Sequence, residues 1–85
     1  MTWNYRIIVK HSEHPVNEGE RYFEIHECHY EKRKDTLPTS WSKDAVLPMG
    51  QDKVKELKAD LKMMLKACEK PVLIEKGDKI EEWKP

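Results

Sequence analysis

The chain has 85 residues, 16 basic and 16 acidic, for a formal charge of zero, and apolar and charged residues each make up 38 % of it. This length fits one domain with one modest core and leaves no room for a deep cofactor cavity as well. Neutrality argues against a bulk-charge nucleic-acid clamp, no apolar run approaches the ~18 residues of a membrane span, and Cys28 and Cys68 are too few for a disulfide framework, so a cytoplasmic setting without a membrane is expected.

The first element covers about residues 3–10. Trp3, Tyr5, Ile7 and Val9 occupy every second position, the period of a half-buried strand. Ile8 interrupts the alternation and points to some cover on the opposite face. Residues 11–19 read as a loop through Pro15, Asn17 and Gly19. A second strand follows at about 21–31, with a register conflict inside it. Phe23 and Ile25 share one face and Cys28 and Tyr30 the other, so plain alternation sets Glu27 beside Ile25. Either a bulge near His26-Glu27 swaps the faces, or Glu27 points inward with a partner. A charged connection over 31–38 leads to a short third strand at about 39–46, anchored by Trp41, and Pro48-Met49-Gly50 ends it.

A helix is expected over about 51–69. Val54, Leu57, Leu61, Met64, Leu65 and Cys68 recur at three- and four-residue steps and fill a stripe about 100° wide, the width of a core-facing surface. Asp52 is placed to cap it or complement its dipole, and Pro71 stops it. Residues 72–74 read as a short extended segment, Gly77-Asp78 as a turn, and 75–85 as a tail. The order β-β-β-α-β suits an α+β two-layer sandwich: three to four antiparallel strands with the amphipathic helix packed on one face. That arrangement leaves the other face and the edges open, and an open edge predicts a homodimer.

Four groups of residues invite a chemical reading. His11-x-x-His14 and His26-x-x-His29 have a spacing that serves zinc on a helix, but on a strand His26 and His29 project to opposite faces. Cys28 shares a strand face with His26, about 7 Å away at ~3.3 Å per residue, yet no oxyanion loop or nucleophile elbow accompanies it. With three glycines the chain holds no phosphate cradle. No catalytic set is complete, and no cofactor or metal ion is expected. Lys55, Lys58, Lys62 and Lys66 line one flank of the helix, where like charges at i, i+4 cost ~0.2–0.5 kcal/mol per pair. Phosphates or acidic groups of a partner offset that cost, as does simple solvation with the lysine stems over the core rim. Ala59, Met63 and Ala67 form a narrow apolar line opposite the core stripe.

Trp3-Asn4-Tyr5-Arg6-Ile7, Ile25-His26-Glu27, Tyr30, Ser40-Trp41-Ser42, Leu57-x-x-Asp60-Leu61-x-x-Met64-Leu65 and Lys70-Pro71-Val72-Leu73 together resemble a family of short bacterial proteins of uncharacterised function, over about residues 3–74. That resemblance implies no activity, cofactor or catalytic residue. In architecture the chain is also similar to the HicB antitoxin fold, although the glycine and proline pattern of those domains is not matched by Gly19 and Pro38. The reading that follows is a small non-enzymatic interaction or regulatory module, a homodimer or the binder of a protein partner. Its binding residues would be Lys55, Lys58, Lys62, Lys66, Trp41, His26 and Glu27. A nucleic-acid- or toxin-binding regulator using the lysine flank is one alternative, and a metal or hydrolytic site at His26–His29 is another.

Overall fold

A computed structural model describes residues 2–11, 20–48 and 50–85. The His11–His14 pair therefore lies in part outside the described residues, as do the 12–19 loop and Met49. The elements are β1 (Thr2–His11), β2 (Arg21–Tyr30), β3 (Ser40–Trp41), α1 (Val54–Ala67), β4 (Leu73–Lys76) and β5 (Lys79–Glu82). They form one five-stranded sheet in the order β3-β2-β1-β4-β5, with α1 on one face. The class is α+β, but the sheet is larger than the sequence suggests and is mixed, not antiparallel. Strand β4 runs parallel to β1, with Ile8 beside Leu73 and Val9 beside Ile74. The β4–β5 hairpin replaces the expected tail, and its turn holds Gly77 at φ 66, a left-handed conformation that costs glycine little.

The β1–β2 ladder runs without interruption from Thr2 opposite Tyr30 to His11 opposite Arg21. No bulge occurs at His26-Glu27. Tyr5, Ile7, Ile25, Glu27 and His29 therefore share the face toward α1, and Arg6, Ile8, His26, Cys28 and Tyr30 share the far face. The third strand is shorter than expected, because only Ser40 and Trp41 pair in regular register with β2. Beyond them the chain stays at the edge through isolated bonds, with Ser42 N–H donating to the Glu27 carbonyl and Val46 N–H to that of Ile25.

Helix α1 spans Val54–Ala67 in place of 51–69, and its orientation differs from the expected one. Met64 and Ala67 are buried and Leu57 and Asp60 half-buried, whereas Val54 and Leu65 are 82 % and 66 % exposed. At about 100° per residue the buried stripe is centred roughly 70° from the stripe read off the sequence. Two contacts fix this roll. The Tyr5 hydroxyl, buried on β1, donates to Asp60 Oδ1 at 2.7 Å, and the small Ala67 lets the helix end approach Tyr5 and Ile7. Ala67 thus belongs to the core, not to an outer line with Ala59 and Met63, both exposed. Asp52 does not cap the helix: the cap position is Lys53, with no side-chain cap bond. Glu56 in the first turn and Lys66 in the last complement the helix dipole.

The far face is not bare. Ile8, Cys28, Tyr30, Leu73 and Ile80 form a buried cluster there, with Trp41 packed against it. The 31–38 connection folds back over this side, bringing the Thr36 carbonyl to Arg6 and burying Pro38. Both faces are thus covered within one copy of the chain, which removes the open face on which the homodimer expectation partly rested.

Candidate functional site

The sequence-selected residues fall into three separate places. Lys55, Lys58, Lys62 and Lys66 are all exposed on α1, away from the sheet. His26 is fully buried on the far face, where both ring nitrogens have partners: Nδ1 lies 2.9 Å from the Ser42 carbonyl oxygen and Nε2 2.9 Å from Glu24 Oε1. Trp41, on the same face, donates from Nε1 to Glu75 Oε2 at 3.1 Å, and Lys10 pairs with the other oxygen of that carboxylate. Glu27 meets the second of its two expected arrangements only in part: it has a partner on the helix side, but its side chain is 41 % exposed. It is half-buried on the helix side and accepts from His29 Nε2 at 2.9 Å.

His26 and His29 leave opposite faces of β2, so a single ion cannot join them. Among the described residues no group of three or more His, Cys, Asp or Glu side chains gathers around a point. Burial pushes the Cys28 thiol up to about 11; the Arg6 charge opposes this rise and Glu27 adds to it. A buried, protonated thiol is a poor nucleophile. Cys68 is exposed and lies beside α1.

Two further features were missed in the sequence. The first is an apolar groove of about 530 Å³ between α1 and the β2 edge, bordered by Phe23, Ile25, Val46, Leu47, Leu61 and Leu65. Phe23, Leu47, Leu61 and Leu65 are exposed, Leu47 at 73 %, while Ile25 and Val46 are half-buried against the core. On the helix, Val54, Leu61 and Leu65 lie within an arc of about 40°, and Lys58 and Lys62 follow at about 40° and 80° from its centre. The apolar strip and the lysine flank are therefore adjacent. The signal for the strip was present as leucines at helical spacing, which pattern reading assigned to the core.

The second feature is Arg6, near the middle of β1 and 5 % exposed. Its Nη1 donates to the Tyr30 hydroxyl at 3.0 Å and the Thr36 carbonyl at 3.1 Å, and Nη2 donates to the Pro71 carbonyl at 2.9 Å. All three acceptors are neutral. Arg6 Nε and the neighbouring Asn4 Oδ1 are buried without a hydrogen-bond partner among the described residues. A polar residue at an even position between Tyr5 and Ile7 reads as solvent-facing, and that reading concealed its burial.

Comparison with family models, curated proteins and solved structures returns no match. Neither the resemblance to the short bacterial family nor the likeness to the HicB fold finds a counterpart there. Among the described residues no helix is long and apolar enough to cross a membrane.

Proposed function

We propose that the chain is a non-catalytic interaction module, and that the groove between α1 and the β2 edge receives an amphipathic segment of a partner protein with acidic residues flanking its apolar face. The observation that carries this reading is the exposed apolar strip Val54–Leu61–Leu65 running beside the lysine flank. Contiguous exposed apolar surface with a polar rim is characteristic of interaction sites. A helix laid in such a groove uses anchors at i, i+3, i+4 and i+7. The lysines then select acidic neighbours and speed encounter, an effect that weakens with salt.

Charge also distinguishes this occupant from a second copy of the chain. A symmetric pair brings the same patch from both subunits to one seam. Packing α1 against its copy would set two lysine flanks beside the same contact, a like-charge arrangement. An acidic partner removes that repulsion. A phosphate backbone would be drawn by the lysines too, but it leaves the apolar strip unused, and no aromatic platform sits among the lysines in sequence.

The test uses a synthetic amphipathic peptide with leucines at i, i+3, i+4 and i+7 and glutamates on both flanks, titrated into isotope-labelled protein and followed by NMR. Saturable shifts at Phe23, Val46, Leu47, Leu61 and Leu65, lost in Leu65→Asp and weakened in Lys58→Glu, support the proposal. Shifts elsewhere, or none at millimolar peptide, overturn it. It is also overturned if sedimentation shows a dimer that Leu65→Asp dissociates, because the groove's occupant is then a second copy.

A further inference from the structure

We infer that the pocket beside Arg6 is a binding site for a small organic carboxylate. The pocket has a volume of about 350 Å³ and lies between the start of β1, the 31–38 connection and the segment after α1. That volume is in the range of small-ligand sites.

The argument starts from the charge. A guanidinium has five N–H donors and no acceptor. Arg6 spends two on Nη1 and one on Nη2, which leaves Nε–H and one hydrogen of Nη2. Carbonyl and hydroxyl oxygens solvate the cation through partial charges but do not neutralise it. None of the ion pairs among the described residues includes Arg6. Buried charges in proteins are ordinarily paired, because an isolated one is costly. Arg6 lines the pocket, so an anion seated there would supply the missing counter-charge.

The walls narrow the class of anion. Arg33 and Lys70 add two cations to Arg6, while Asp35 and Glu82 bring two carboxylates, so the pocket has one positive charge in excess. A monoanion balances it, whereas a phosphate dianion would over-fill it and face the two wall carboxylates. The spare Nη2 hydrogen of Arg6 can donate to a carboxylate oxygen, with Arg33 and Lys70 at the rim as further cationic partners. Trp3, Tyr30 and Pro71 offer apolar surface to the rest of an organic acid. A free inorganic anion would use none of these.

The probes are benzoate, its neutral isostere benzamide, and inorganic phosphate, each titrated into isotope-labelled protein at constant ionic strength and read by NMR. Benzoate is expected to give saturable shifts at the Arg6 Nε–H and the Asn4 and Thr36 amides, with benzamide and phosphate inert. Arg33→Gln and Lys70→Gln, both at exposed positions, are each expected to weaken benzoate about two- to fivefold, the effect of a solvent-exposed charge. Arg6→Lys keeps the charge but loses the planar fork, and is expected to abolish saturation; if it does not fold, the two rim variants decide. Absence of saturation with benzoate, equal binding of benzamide, or tighter binding of phosphate would each overturn the inference. The pocket shares no lining residue with the groove beside α1, so failure here leaves the partner-binding proposal standing.

Discussion

The indole Nε1–H of Trp41 bonds Glu75 on β4 although two strands, β2 and β1, lie between them. The two residues also sit at different heights: Trp41 pairs with Cys28, whose β1 neighbour is Asn4, whereas Glu75 is held by Lys10. A right-handed twist lifts diagonally opposite corners of a sheet toward the same side. The far face therefore closes over Ile8, Cys28 and Leu73 through its own curvature, with Trp41 and Glu75 as the clasp. Replacing Trp41 by Phe keeps most of the ring but removes the donor. The expected loss is about 1–2 kcal/mol, seen as a lower urea midpoint at constant slope. An unchanged midpoint would show that the clasp contributes nothing to the closed face.

The same carboxylate makes stability depend on pH on the acid side. Desolvation pushes the Glu75 carboxyl upward, but hydrogen bonds from Lys10 and Trp41, with the charges of Lys10 and His26, outweigh it and hold the group below the ordinary value of 4.5. A depressed folded-state pKa stabilises the protein above the unfolded value, and that stability is lost as pH falls through the folded value. Unfolding midpoints are therefore expected to drop on acidification below about pH 4.5. Glu75→Gln should be less stable at neutral pH and less sensitive over this range.

Tyr5 makes stability depend on pH on the alkaline side. Burial, the bond to Asp60 and the charges of Asp60 and Glu27 push its hydroxyl from 10.0 up to about 12. A raised folded-state pKa gives stability that is complete below the unfolded value and disappears as pH climbs through the folded one. Destabilisation between pH 10.0 and about 12 is expected, and should shrink in Tyr5→Phe. That variant also loses one buried hydrogen bond, about 1 kcal/mol at neutral pH. A phenolate absorbance titration locates the group directly.

The roll of α1 reverses the usual ranking of core substitutions. Met64→Ala empties a buried position against Tyr5 and Ile7 and should cost about 2–3 kcal/mol. Leu65→Ala touches an exposed leucine and should cost under about 0.5 kcal/mol. Equilibrium urea unfolding of the pair distinguishes this orientation from the one that leucine spacing suggests, for which Leu65 would be the more damaging site.

The two thiols should separate cleanly in labelling. An exposed Cys68 reacts with a thiol reagent in the folded protein, whereas fully buried Cys28, raised to about 11, reacts at the rate of unfolding. Mass spectrometry after brief labelling should find a single adduct at Cys68. Two adducts at equal rates would mean that the far face opens far more readily than its packing implies.

How much of this could be read from the sequence depended on whether the signal was local. The alternation in β1 is local and marks the strand, but from Tyr5 to Val9 both faces are buried; Ile8 signals this in the sequence and Arg6 does not. Helix α1 was legible as a helix but not in its roll, because a hydrophobic stripe ranks residues by type. Burial here followed the needs of Tyr5 for a partner and the small size of Ala67. The hairpin was hidden because Glu75, Lys76, Lys79, Glu81 and Glu82 give a charged pattern that resembles a tail, though its Gly77-Asp78 turn was visible. Parallel pairing of β4 with β1 leaves no local trace. Arg6 was unreadable for a related reason: its acceptors lie 24, 30 and 65 positions away in the chain.

That parallel pairing also bears on how the molecule is made. Ile8 waits for Leu73, so a nascent chain leaving the ribosome carries its central strand long before the neighbour that completes it has been synthesised. Until then one side of β1 has only water or a chaperone to satisfy its amides. Sequence-distant pairing of this kind slows folding. The native sheet therefore cannot be completed before Leu73 and Ile74 have left the ribosome.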